Sequence, residues 1–212
     1  MAAPVAIDVR KPRVMNDITE EELERRAEIT VSQLGGLQSM HLAFYQISIK
    51  YNNDRAQAAF ERYDQRISAN DDADELISAA QEAISHIAAL SRFLFPSRLG
   101  PRNHRKSLRF ARAEVLRRHF TIKDDSPLAD RTLRDIWEHF DERLDEYLLS
   151  KDAGLFFPSA MAGPHTLADD PAGKVFKLID TEAHCLVLLG KKFFINPLRH
   201  ELNRAFQIWQ AP

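Results

Sequence analysis

Two groups of residues in this chain have side chains that could do chemistry. The first is the hexad Arg134-Asp135-Ile136-Trp137-Glu138-His139, with an arginine and a histidine five residues apart and an acid directly after the arginine. A guanidinium is a fixed cation. An imidazole exchanges protons near neutrality, its unperturbed pKa being about 6.5. On a helix the two side chains stand about 140° apart, at the edges of one polar face that also holds Asp135 and Glu138. A plainer use of the same residues is an i,i+4 surface pair between Arg134 and Glu138, worth about 0.3–0.5 kcal/mol.

The second group is a basic segment. Between Arg98 and Arg118 there are eight Lys and Arg residues against one acid, Glu114. Such a run can supply phosphate contacts to single-stranded RNA, with Arg98, Arg102, Arg105, Lys106 and Arg109 leading it. Phe110 and Phe120 are the aromatic residues there that could stack on bases, which gives no sign of sequence-specific base reading. The alternative is that these cations pair with the acidic surface of Asp141, Glu142, Asp145 and Glu146.

An element must hold the hexad, and the sequence predicts one helix from about Pro127 to Ser150. Ser126 caps it and Pro127 suits its first turn. Leu133, Ile136, Trp137, Phe140, Leu144, Tyr147 and Leu148 repeat at helical spacing, with Arg131, Arg134, Asp135, Glu138, His139 and Glu142 on the other arc. Upstream, Thr19 and Glu22 form a capping-box signature for a helix that runs to Gly35-Gly36. An apolar stripe from Leu37 to Ile49 leads to Tyr51-Asn52-Asn53-Asp54, after which a separate helix is expected from Arg55 to Ala69. Asp71 or Asp72 caps a long helix that Pro96 ends. A basic loop and a helix from about Ser107 to His119 follow.

Residues 151–173 are rich in Pro, Gly, Ala and Asp and are expected to form a loop. Val175–Ile179, Leu186–Leu189 and Lys192–Ile195 predict a short antiparallel meander, and a last helix runs from Pro197 to about Trp209. The expected fold is mainly α: a flexible arm at 1–17, a helical bundle at 18–150, the loop, and an accessory β-meander with a helix at 174–212, all in one domain.

Composition narrows the classes. A chain of 212 residues, 44% hydrophobic and 28% charged, has ordinary globular make-up. No apolar run approaches the ~20 residues needed to cross a bilayer. Residues 1–16 have no continuous apolar stretch before a cleavage site, so secretion is not signalled and a cytoplasmic location is expected. The single cysteine, Cys185, lies in an apolar run and is expected to be buried filler. Glycine-rich phosphate loops, paired-histidine metal motifs and Gly-x-Ser-x-Gly elbows are missing from the sequence, so no metal or cofactor is expected. His86 is expected to be packed or hydrogen-bonded. The remaining histidines outside the hexad show no ligand spacing.

The hexad resembles the signature of the HEPN superfamily, helical proteins in which Arg, a polar residue, three further positions and His share one helix. The match covers only the helical part of the chain. The resemblance implies a metal-independent endoribonuclease that works as a homodimer, its two motifs facing each other across a cleft. RNA would be cut by attack of the ribose 2′-hydroxyl on the adjacent phosphate. His139 would act as general base or acid, Arg134 would hold the phosphate and stabilise its transition state, and Asp135 would orient one of the two. An antitoxin or other regulatory protein is a further implied partner, in a defence or stress response. In one branch a Tyr two positions after the His is a modification target, and here Asp141 stands there. Two other readings stay open: a non-catalytic helical dimeric interaction module, and a small-molecule or nucleotide-binding bundle that uses the basic loop.

Overall fold

The computed structural model describes residues 18–100, 102–150 and 154–207. The expected arm at 1–17 lies outside them. Thr19 caps α1 (Glu20–Leu34), its Oγ1 accepting the Glu22 N–H at 3.2 Å, and Gly35 closes the helix in the left-handed conformation. At Gly36 a Cβ would collide with Ala111, so the turn can press against α4 (His104–His119) only with glycine there.

The apolar stripe and the following helix, expected as two pieces, are one 31-residue helix, α2 (Ser39–Ala69). Its Asn-rich middle stays helical, with Asn52 bonded both along the helix and to His86 of α3, while the Oδ1 of buried Asn53 has no partner. Asn52 donates to the Ser48 carbonyl at 2.9 Å, and Lys50 pairs with Asp54 one turn on. Asn70, left-handed at φ 56°, reverses the chain into α3 (Ala73–Leu94), which Asp72 caps through the Glu75 N–H. The α2–α3 pair forms the centre of the core. Ala56, Ala59, Phe60 and Tyr63 meet Leu76, Ala80, Ala83, Ile87 and Leu90, all buried. The helix expected from Ser107 starts three residues earlier, since Asn103 Oδ1 caps it through the Lys106 N–H at 2.8 Å.

The helix expected from Pro127 to Ser150 is three pieces. A 3-10 turn (Pro127–Ala129) is followed by α5 (Thr132–Glu138) and α6 (Phe140–Leu149), with a break at His139 (φ −122°, ψ 41°). The break sits where aromatic rings close on the sheet. Trp137 stacks on Phe140 at 6.1 Å, Phe140 meets the ring of Phe176 edge-on at 5.5 Å, and the Lys177 ammonium lies 5.1–5.7 Å from all three rings.

The expected loop at 151–173 contains a strand. β1 (Leu155–Ala162) pairs in parallel with β2 (Gly173–Asp180), and β3 (Cys185–Leu188) and β4 (Lys191–Phe194) complete the sheet antiparallel, in the order β1-β2-β3-β4. The sheet is therefore mixed, a four-stranded structure rather than an antiparallel meander. Pro158 sits at the register shift in β1, and Leu155, Phe156 and Phe157 stay exposed, so no buried/exposed alternation marks this strand. Ile179, Leu186 and Leu188 join the helical core, while Val175, Leu178, Cys185 and Val187 pack on the other face. Burial pushes the Cys185 thiol pKa up.

The last helix, α7 (Asn196–Phe206), returns to the bundle with Leu202 and Phe206 buried, Arg199 on Asp64 at 3.0 Å, and Ser126 on Glu201 at 2.7 Å. No helix among the described residues is long and apolar enough to cross a membrane.

Because strands and helices share one core, Leu186→Ala should lower global stability by about 2–5 kcal/mol. Far-UV circular dichroism and tryptophan fluorescence should follow the same shifted urea transition. A separate early transition for the sheet would contradict this.

Candidate functional site

The break at His139 ends the regular rotation on which the shared polar face of Arg134 and His139 depends. Arg134 turns toward α3. Its side chain is 18% exposed and lines a shallow groove with Ser85, Ala88, Ala89, Arg92, Trp137 and Glu138. Its Nε lies 3.8 Å from Glu138 Oε2 and is buried without a hydrogen bond. An orphaned buried donor costs about 1–3 kcal/mol. Burial, and then the like charges of Arg131 and Arg92, press the Arg134 pKa below the ordinary arginine value. Glu138 does not relieve this alone, since its other oxygen is held by Arg92.

His139 is different in every respect. Its side chain is half exposed, and its Nδ1 lies 3.8 Å from Glu142 Oε2. Arg134 and His139 thus lie against separate carboxylates, Glu138 and Glu142. Asp135 is committed elsewhere, accepting from Arg143 Nη2 at 2.8 Å, while Arg143 also grips Glu146. These two carboxylates, Glu146 first, raise the Arg143 pKa.

The five basic residues divide. Arg105 is neutralised by Glu24 and Glu20 of α1. Burial works against the Glu24 carboxylate, yet hydrogen bonds from Arg105 and from the backbone N–H groups of Arg105 and His104 hold its pKa below the usual range. Lys106 donates its ammonium to the carbonyls of Arg98 and Gly100 and so staples the loop. Arg98, Arg102 and Arg109 are exposed and carry no ion pair among the described residues.

Arg98 also lines a cavity of about 650 Å³ with Phe95, Leu99, Phe110, Arg117, Asp124 and Arg131. Arg131 is fixed there by the carbonyls of Phe95 (2.6 Å) and Pro96 (2.5 Å), and Arg117 by that of Leu94 (2.7 Å). Carbonyls hold Arg131 without cancelling its charge, whereas Arg117 is also paired with Asp124 at 3.2 Å. Sequence reasoning missed Arg92, Arg117 and Arg131 as members of the site. Arg131 stood on the polar arc, but nothing in the chain signalled that α3 would bring Arg92 to it.

The structure also assembles an acid–histidine pair that the sequence did not flag. Asp180 accepts from the His165 ring Nδ1 at 2.6 Å and from the backbone N–H groups of His165, Glu182 and Ala183. Burial works to raise its pKa, but the Ala183 and His165 donors outweigh this and hold it at about 2. The pair pins the crossover after β1 to the β2–β3 turn. His86, as expected, is hydrogen-bonded, its Nδ1 3.2 Å from Asn52 Oδ1. Among the described residues, no three His, Cys, Asp or Glu side chains gather as metal ligands.

With this geometry in hand, comparison with known proteins adds no relative: no family, curated protein or solved structure matches the chain.

A carboxylate whose folded pKa is depressed stabilises the fold above its unfolded value, and that contribution fades as pH falls through the folded value. For Asp180 the window runs from its ordinary value of 3.8 down to about 2. Asp180→Asn should therefore be less stable than wild type at neutral pH and lose less stability across that acid window, read from urea midpoints measured at each pH.

Proposed function

We propose that the protein binds single-stranded RNA and cuts it as a HEPN-type, metal-independent endoribonuclease in the cytoplasm, with two copies of the motif meeting in a homodimer. The observation that carries this reading is the guanidinium of Arg134, part-desolvated beside Arg92 and Arg131 with an unpartnered Nε. Three guanidinium groups with one carboxylate, Glu138, shared between Arg92 and Arg134 favour an anion, and a phosphodiester is the anion whose fork geometry suits arginine. The exposed Arg98, Arg102 and Arg109 offer further backbone contacts, and the half-exposed Phe110 beside Arg98 offers a ring.

In the reaction His139 takes the proton of a ribose 2′-hydroxyl. The 2′ oxygen then attacks phosphorus, the bond to the 5′ oxygen breaks, and a proton is returned to that leaving oxygen. The products are a 2′,3′-cyclic phosphate and a 5′-hydroxyl end. Arg134 stabilises the charge that builds on the phosphoryl oxygens. Asp135, held by Arg143, supports this geometry by anchoring α5 to α6 rather than by touching either catalytic side chain. That commitment of Asp135, and the separation of Arg134 from His139 onto different carboxylates, favours a second reading, a dimeric RNA-binding module without catalysis. A defence or stress-response setting, with a regulatory partner such as an antitoxin, follows from the first reading.

Cleavage of a labelled single-stranded RNA in EDTA separates the two. Wild type should give cyclic-phosphate ends, and His139→Ala and Arg134→Ala should each be slower by at least about 100-fold with unchanged circular dichroism. Tight binding without cleavage by wild type would select the binding module, and cleavage by both variants at the wild-type rate would remove the proposed site.

A further inference from the structure

One side of α2 carries a large exposed apolar stripe, whose far end, Tyr51, meets the ring of His86 on α3 edge-on at 6.4 Å. Met40, Phe44, Ile47 and Tyr51 follow a 4-3-4 spacing and remain 74%, 70%, 68% and 55% exposed. Single exposed apolar residues are ordinary, but four large ones in a row on one helix face are not. The surroundings are as unusual. From Ile29 to Ile49 the chain has 21 consecutive residues without Asp, Glu, Lys or Arg, in a protein that is 28% charged.

We infer that this face is where a second copy of the chain packs, α2 against α2 in antiparallel order about a two-fold axis near residues 45 and 46. The spacing is symmetric about that point, so Met40 meets the partner's Tyr51 and Phe44 meets the partner's Ile47. This is the a/d pattern by which two helices interdigitate. Charge selects the direction. In a parallel pair Lys50, Asp54 and Arg55 would each lie near their own copies, like charge on like. In the antiparallel pair they run out opposite the uncharged stretch near Gly36, Leu37 and His41.

The area is adequate. The four side chains leave on the order of 500 Å² open per subunit, near the upper end for a monomer, and two such faces with their rims reach the ~1,000 Å² of a specific interface. A nucleic acid does not suit a face that is uncharged from Met40 to Ile47 and meets a cation, Arg55 over the Tyr51 ring at 5.4 Å, at its end.

This inference goes beyond the proposed nuclease, because Arg134 rests on an edge of α3 and an α2–α2 contact does not itself bring the two motifs together: a dimer that cuts no RNA leaves it intact, and a monomer that cuts RNA defeats it alone. Light scattering on the full chain at micromolar concentration should give twice the 24.3 kDa chain mass. Phe44→Glu with Ile47→Glu should raise the dimer dissociation constant at least about thirtyfold with unchanged circular dichroism. Cysteines test the order, since Cys185 is buried. Oxidation should link subunits of the Phe44→Cys, Ile47→Cys double variant but of neither single variant.

A wild type that stays monomeric overturns the inference and leaves the face to another protein or to a membrane surface. So does a glutamate variant that remains dimeric. Linking by either single cysteine overturns the antiparallel order.

Discussion

Where α2 packs on α3, alanines at 56, 59, 80 and 83 let the two backbones approach, and Phe60, Tyr63, Ile87 and Leu90 fill the space beside them. This seam sets the position of everything else, because α3 is the element that the others share. α4, the 3-10 turn, α5, β1 and β2 all lie against it. With one face of α2 spent on the seam, the stripe from Met40 to Tyr51 is turned to solvent. With one face of α3 spent likewise, its Ser85–Ala88–Arg92 edge becomes the wall on which Arg134 rests. The candidate phosphate site and the candidate dimer face are both consequences of the same hydrophobic contact.

Charge is then distributed in two ways. Arg199 binds Asp64, Arg105 binds Glu20 and Glu24, and Arg143 binds Asp135 and Glu146, each joining two elements or two turns. Arg112 lies over the rings of Tyr45 and Phe93 instead. Arg134, like Arg112, buries its Nε without an acceptor, and it does so beside the like charges of Arg131 and Arg92.

Much of the architecture was legible in the sequence because its signals are local. Thr19, the Asp71-Asp72 pair and the Gly35-Gly36 pair marked the ends of α1 and α3, and short apolar runs marked β2 and β3. The failures share a cause: a distant partner decided the outcome. The Asn-rich middle of α2 reads as a turn until Asn52 is seen to meet the ring of His86 on α3 at 3.2 Å. Apolar periodicity carries through residue 139, whereas the rings of Phe176 and the ammonium of Lys177 draw Trp137 and Phe140 together across a break. β1 has no alternating pattern, since its large side chains stay exposed and its pairing comes wholly from β2. In the site, the residue types of the hexad were readable, but not that Asp135 would answer to Arg143, nor that Arg92 would arrive from α3. The pinning of His165 by Asp180 joins residues fifteen positions apart with no motif between them.

The central claim is that Arg134 is the phosphate-holding cation. Its Nε–H offers a direct reporter, because the buried donor has no acceptor of its own. The decisive measurement is an NMR titration of the arginine Nε–H signals with a single-stranded RNA whose 2′-hydroxyls are methylated, so that it binds but is not cut. The account predicts a saturable shift of the Arg134 signal together with those of the His139 ring. Saturation of Arg98, Arg102 and Arg109 while Arg134 and His139 stay unmoved would contradict it.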